Sequence, residues 1–330
     1  MRHFEILLPF GLPPPEMAKD LLRNLQAPAL ATMLAKAGAP ATRSFDPFAR
    51  YLPHEAWLEQ RLHGKGQSGD NAPTPTVDRM QRLGLSVTEG TWFLLNPVHI
   101  HIARDHLVLT DRRRLPLEES ESRALFEAAL PAFAESGKTI VYGTADTWFV
   151  RADDWQTLET TTPDAACGHN IDIWMPKGEG ERAWRKLQNE VQMEWHEHPA
   201  NGLREERREP PVNSLWLWGG AKAGQSAPAA AYFDDTSDLA ALLAQAQQPV
   251  VIALDALSEP ALAEEWGGWL ERMQLLDERW FAPLLTSLQR GEIAQLTLIS
   301  GHNAALREFK LTPRALLKFW AKPSFSRLMP

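Results

Sequence analysis

The chain opens on a short apolar run, Ile6-Leu7-Leu8, which predicts a buried strand at 5–9, stopped by Pro9 and by prolines 13–15. Helical spacing follows. Met17, Leu21, Leu22 and Leu25 share one face, as do Leu30, Met33, Leu34 and Ala37 beyond Pro28. Trp57, Leu58 and Leu62 predict a third helix over about 54–63. Strands are predicted at 91–95, 98–103 and 106–110. In Val98-His99-Ile100-His101-Ile102 the period of two sets both imidazoles on one face and the aliphatics on the other. A helix at 118–135 begins after Pro116 and stops at Gly137, and strands follow at 138–142, 147–151 and 171–175. Trp184, Leu187, Val191 and Trp195 form the buried stripe of a long helix at 179–197. A charged, proline-containing loop leads to a strand at Leu215–Trp218. The last third reads as strand 229–233, helix 236–246, strand 249–254, helix 259–290, strand 294–300, a further segment 304–311 and a terminal helix. Strands alternating with helices predict an α/β sheet. The Gly-, Ser- and Pro-rich stretch 64–76 reads as a surface loop, in preference to a linker, because little structure precedes it.

At 330 residues the chain suits two domains. Its 34 basic and 42 acidic residues leave a net charge of −8, so neither nucleic acid nor a membrane is expected as a partner, although a local basic patch is compatible with that total. The single cysteine, Cys167, excludes an internal disulfide and any multi-cysteine metal site, and fits a reducing compartment. The first apolar run is too short for a signal peptide, and no stretch approaches the roughly 18–20 apolar residues of a membrane span. A soluble, cytoplasmic protein is the expectation. Thirteen tryptophans are unusual and fit either core anchors or a pocket.

Candidate chemistry is sparse. His99 and His101, with Asp105, Asp111 and distant His302, are weak candidate metal ligands, and partnered imidazoles on a sheet face are the simpler reading. His196 and His198 lie two residues apart at a helix end, about 200° around the axis, and suit the helix dipole better than a shared ion. Asp111-Arg112-Arg113-Arg114 is the sharpest basic cluster and could grip phosphate or carboxylate, whereas Arg204–Glu209 is balanced by its own acids and reads as a solvated loop. Gly219-Gly220-Ala-Lys222 lacks the Lys-Ser/Thr of a phosphate loop. No Gly-x-Ser-x-Gly elbow occurs, and Cys167 lies too close in sequence to His169 to be activated by it, so a packed thiol is expected.

The order of several short motifs resembles cofactor-independent phosphoglycerate mutases of the archaeal type, within the alkaline phosphatase superfamily, and most closely the RpfE-type regulatory proteins. The motifs are Leu95-Asn-Pro-Val-His99, Arg104-Asp105-His106-Leu107, Asp111-Arg-Arg-Arg114, Cys167-Gly168-His169 and His198-Pro-Ala-Asn201 with Arg204. Val212-Asn-Ser-Leu-Trp-Leu-Trp-Gly219, Leu275-Leu-Asp-Glu278, Ala282-Pro-Leu-Leu285 and Leu298-Ile-Ser-Gly-His302 complete the series. The resemblance implies an alkaline phosphatase-like α/β domain, with a mixed or parallel sheet flanked by helices, formed by 1–95 plus 212–330 and truncated. An α+β domain, 96–211, would be inserted in it.

The resemblance also implies a serine nucleophile between two divalent metals, and here the chain departs from the pattern. The aspartates expected just after the first strand are replaced by Pro9-Phe-Gly-Leu-Pro13, and the late Asp-His pair by Gly301-His302. Asp255-Ala-Leu-Ser258 has no histidine near it, and no segment in the first 90 residues matches the nucleophile. Arg112, Arg113, Asn201 and Arg204 match segments that surround the phosphoglycerate in the relatives. A catalytically degenerate protein is therefore expected, regulatory through a phosphorylated or carboxylated metabolite or a protein partner, with no cofactor. The alternatives are an active phosphomutase or phosphatase with manganese or magnesium at a rebuilt site, and an assembly factor using exposed Trp216, Trp266 or Trp269.

Overall fold

In this computed structural model the described residues are 2–64, 74–224, 230–245 and 249–329, so most of the 64–76 stretch lies outside them. Twelve strands form among these residues: β1 (His3–Leu8), β2 (Ala41–Ser44), β3 (Thr91–Val98), β4 (Ile100–Ala103), β5 (His106–Leu109), β6 (Thr139–Thr144), β7 (Thr147–Arg151), β8 (Ser214–Lys222), β9 (Ala231–Asp234), β10 (Val250–Ala253), β11 (Gln295–His302) and β12 (Ala305–Leu311). The chain divides into two compact units, one of residues 1–48, 52–62 and 228–330, the other of 49–51 and 63–227.

The first unit is built on a six-stranded sheet ordered β2-β12-β11-β1-β10-β9. β11, β1, β10 and β9 are parallel, and β12 and β2 add an antiparallel edge. β1 is central and apolar because parallel strands are covered on both faces. Leu7 packs on one face with Val251, Ile299 and Leu306, beneath Trp57 and Leu62 of the helix Pro53–His63. On that same face Arg61 reaches Glu5 at 2.6 Å. The buried Asp277 carboxylate accepts the backbone N–H groups of Ala29 (3.1 Å) and Leu30 (2.7 Å), capping the helix Pro28–Lys36 from a distant part of the chain.

The second unit is α+β. Its antiparallel sheet runs β6-β7-β3-β8, and β4 and β5 form a separate hairpin. The predicted stripe Trp184, Leu187, Val191 and Trp195 is buried in the helix Glu181–His196. Trp195 stacks edge-on against Trp148 at 5.8 Å and donates to Leu125 O of the helix Glu119–Glu135 at 3.0 Å. Eleven of the thirteen tryptophans are buried, which makes them core anchors.

The α/β class, with a mixed and mainly parallel sheet flanked by helices, is as the sequence predicts. The boundaries between the units fall elsewhere. A division after 95 would cut β3, and the pair of boundaries would part β8 and the first half of β3 from β7, although β3 pairs with both β7 and β8 in one sheet. The predicted strand 171–175 is a 3-10 turn, Ile171–Ile173, opened by Asn170, whose side chain accepts from Asp172 N. The helix 259–290 is broken into Ser258–Leu262, Trp266–Leu276 and Ala282–Gln289. Glu264 turns left-handed at the first break (φ +55°), and a π turn, Asp277–Phe281, fills the second. The terminal helix is reduced to the turns Pro313–Leu317 and Ser326–Leu328.

Candidate functional site

In open sheets of parallel strands, ligands gather beyond the carboxyl ends of the strands. Three segments singled out by the sequence meet at this edge of the first unit. Pro9–Pro13 follows β1, Asp255 follows β10, and Gly301-His302 closes β11. Leu12 N donates to Gly301 O at 3.1 Å and Leu254 N to Leu7 O at 2.9 Å, which locks the three strand ends together.

The end of β1 is apolar and tightly packed. Phe10 and Leu12 are each only 5% exposed, and Pro9–Pro13 contains no side-chain oxygen or nitrogen. Phe10 holds φ +53°, a conformation that strains a bulky residue. Trp269 Nε1, donating to Phe10 O at 2.9 Å, and an edge contact with the His54 ring at 5.6 Å fix it there. A Cβ at Gly11 would meet Ser300 Oγ at 2.5 Å and Leu8 Cγ at 2.7 Å, so only glycine fits. Ser300 is fully buried, and its hydroxyl has no hydrogen-bond partner among the described residues. Burial lowers the pKa of His302, against the opposing pull of Glu16. A pair of divalent ions such as the resemblance implies would need carboxylates at the end of β1, and these residues do not fit it.

Oxygen donors instead collect at the ends of β9 and β10. Asp234 accepts from Thr236 N at 3.1 Å and Thr236 Oγ1 at 2.6 Å, and Asp255 accepts from Ser258 Oγ. Burial, with the charges of Asp255 and Asp234, raises the pKa of Asp235, partly countered by Arg279. Asp234, Asp235 and Asp255 lie at neighbouring strand ends but do not converge as a ready set of ligands for one ion. The sequence reading singled out Asp255 but missed Asp234 and Asp235, although an Asp-Asp doublet closing a predicted strand was a visible signal.

The predicted ligand-binding residues lie in the second unit and are engaged by protein groups. Arg112 pairs with Asp146 at 3.2 Å. Arg113 grips Asp164 through both terminal nitrogens (3.1 and 2.6 Å) and also bonds Asp111 at 3.0 Å. Asn201 is buried, donating to Trp195 O and Val212 O and accepting from Val212 N. Arg204 is 0% exposed, not solvated, and belongs to the helix Pro199–Glu206. It donates to Pro210 O (2.9 Å), Pro116 O (2.8 Å) and Glu121 (2.8 Å). Arg207 reaches the other oxygen of Glu121, so one buried carboxylate serves two guanidinium groups. The three arginines named as ligand contacts thus bond to separate carboxylates.

The candidate metal ligands of this unit are also dispersed. His99 and His101 do share a face, with rings nearly parallel (11°) and centroids 5.9 Å apart. His99 Nδ1 lies 2.8 Å from Pro211 O, and His101 Nδ1 lies 3.1 Å from Thr110 Oγ1. Burial first, then the charges of His101 and Arg204, lower the pKa of His99 despite its bond to Pro211. Asp105 pairs with His106 at an exposed turn, and Asp111 caps the Arg112–Arg114 turn. His198 caps the next helix, accepting from Ala200 N at 3.2 Å, and so stands apart from the helix end that holds His196. Burial, reinforced by Asp111 and Asp164, pushes the Cys167 thiol up to about 12, which makes it a packed thiol. Trp216 and Trp269 are buried, so neither is an exposed docking residue.

No family model matches the chain. A stretch of 139 residues is 29% identical to a "Probable 2,3-bisphosphoglycerate-independent phosphoglycerate mutase" of Geobacter sulfurreducens. The match takes in 41% of this chain and spans about a third of the relative (34%). Among solved structures, the PH0037 protein of Pyrococcus horikoshii superposes with a TM-score of 0.52 at 11% identity, over 99% of this chain and 91% of that one. This likeness shows a shared fold. A cofactor-independent phosphoglycerate mutase of Thermoplasma acidophilum gives 0.42 at 12% identity, over 99% and 94%. No described helix is long and apolar enough to cross a membrane.

Proposed function

We propose that this chain is a catalytically degenerate phosphoglycerate mutase-like protein of the RpfE regulatory kind, acting by binding and not by turnover. The observation that carries it is the end of β1. Where two-metal phosphoryl transfer needs carboxylates to hold ions against the phosphoryl charge, buried Phe10 and Leu12 close the strand. The sequence match to a mutase and the fold likeness support the scaffold from which such a protein would descend. The regulatory ligand is a phosphorylated or carboxylated metabolite, or a protein. Since Arg112, Arg113 and Arg204 already bond to carboxylates, a metabolite would have to compete for them or bind elsewhere.

A second proposal is an active protein with a rebuilt manganese or magnesium site, for which Asp234, Asp235 and Asp255 would have to close on a cation that relieves their mutual repulsion. One experiment separates the two. The purified protein is incubated with 2- and 3-phosphoglycerate and a generic phosphate ester, with and without manganese, and its metal content is measured. No turnover under any condition is expected. Metal-dependent turnover abolished by Asp255→Asn would overturn degeneracy. Among inactive outcomes, a rise in melting temperature with phosphorylated metabolites supports the small-molecule form of the proposal.

A further inference from the structure

The charge and the apolar exposure of the first unit coincide at one place. Residues 309–330 carry Lys310, Arg314, Lys318, Lys322 and Arg327 and no Asp or Glu, in a chain whose net charge is −8. The same stretch holds three strongly exposed large apolar side chains within four residues: Leu317 (75%), Phe319 (87%) and Trp320 (69%). Phe319 and Trp320 pack edge-on against each other at 5.1 Å, outside the core.

The segment is pinned in this posture. Lys318 Nζ donates to Lys36 O (3.0 Å) and Ala37 O (3.3 Å), and Arg327 donates to Ala37 O (2.9 Å) and Gly38 O (2.6 Å). These cations satisfy the carbonyl end of the helix Pro28–Lys36, where the helix dipole favours positive charge. Lys36 returns the contact by donating to Lys318 O at 2.6 Å. With Lys318 and Arg327 turned inward, Leu317, Phe319 and Trp320 are exposed, as are Lys310, Arg314 and Lys322 of the same stretch.

We infer that this patch docks on an anionic lipid surface. Exposed cations select negative headgroups, and a Trp–Phe pair is suited to the boundary between headgroups and acyl chains. Neighbouring apolar side chains that are exposed and pack on each other suit a deformable interface, which needs no matching pocket for each. The contact is peripheral, and it is the local basic patch that the overall charge left room for.

The test is sedimentation of the full chain with vesicles of phosphatidylcholine alone, or with about 30% phosphatidylglycerol, at low and high salt. Binding is expected only with the anionic vesicles, weakening in salt. Phe319→Ser/Trp320→Ser should lower the partition coefficient at least about tenfold, and Arg314→Gln/Lys322→Gln about thirtyfold. The four side chains changed are exposed, so melting temperatures should stay at the parent value. Equal binding to neutral vesicles, or binding unchanged in Phe319→Ser/Trp320→Ser, would overturn the inference. So would an absence of vesicle binding with loss of self-association in that variant, which would assign the patch to a second copy of the chain.

Discussion

Arg204→Met removes the buried guanidinium and keeps most of the side-chain length. The hydrogen bonds to Pro210 O, Pro116 O and Glu121 are lost together, leaving two carbonyls and a carboxylate without that donor. Breaking a buried ion pair from one side costs about 3–5 kcal/mol. Glu121 keeps Arg207, so the lower end, about 3 kcal/mol, is expected. For a unit of this size each kcal/mol moves the melting temperature by about 2–4 °C, giving a fall of about 6–12 °C. Urea and thermal unfolding, scored on the transition of the second unit, measure it. The pH dependence is a second readout. Burial opposes the charge on Glu121, but its bonds from Arg207, the Glu118 backbone and Arg204 prevail and hold its pKa below the ordinary value. An unfolded glutamate therefore takes up its proton first. The stabilisation is complete above the ordinary pKa, about 4.3, and is lost as pH falls through the folded value. The gap between parent and variant should narrow as pH falls through the folded value of Glu121, leaving the part due to the two carbonyls. A loss under about 1 kcal/mol, or a gap indifferent to pH, would refute a structural role for Arg204.

Two further outcomes are expected. With its pKa pushed up to about 12 and its side chain buried, Cys167 should resist a maleimide at pH 8 in the native protein and react once urea unfolds the chain; rapid native labelling would show the thiol is accessible. Gly11→Ala should cost about 1–3 kcal/mol in urea titrations, because the new methyl group meets Ser300 Oγ and Leu8 inside a packed strand end, and a neutral result would mean this turn yields easily.

Much of the architecture was legible because it follows from periodicity. Trp184, Leu187, Val191 and Trp195 recur at helical spacing and are buried together, and the Ile6–Leu8 run needs two parallel neighbours. What escaped notice depends on partners far along the chain. β2, Ala-Thr-Arg-Ser, is a polar edge strand whose pairing with β12 no local pattern announces. The helix predicted at 259–290 kept its apolar period through Glu264, whose left-handed turn is a backbone event. Arg204 looked solvated beside Glu205 and Glu206, but Glu121, from another helix, takes it into the interior. At the candidate site, the pattern shows that Pro9–Pro13 and His302 lie at the ends of strands. That these strands adjoin, and that Asp234 and Asp235 stand near Asp255, depends on the sheet order, which no local pattern carries.

The order of the first sheet also governs how this chain is made. β1 is translated before both strands that flank it, since β10 and β11 begin about 240 residues or more after it ends. At about 5–20 residues per second, that interval is about 12–50 s. The second unit, almost all of it encoded between the two halves of the first, can complete its own sheet during this time. An apolar strand with no partner is then the segment most in need of a chaperone during synthesis, and translation speed through residues 63–227 sets how long it waits.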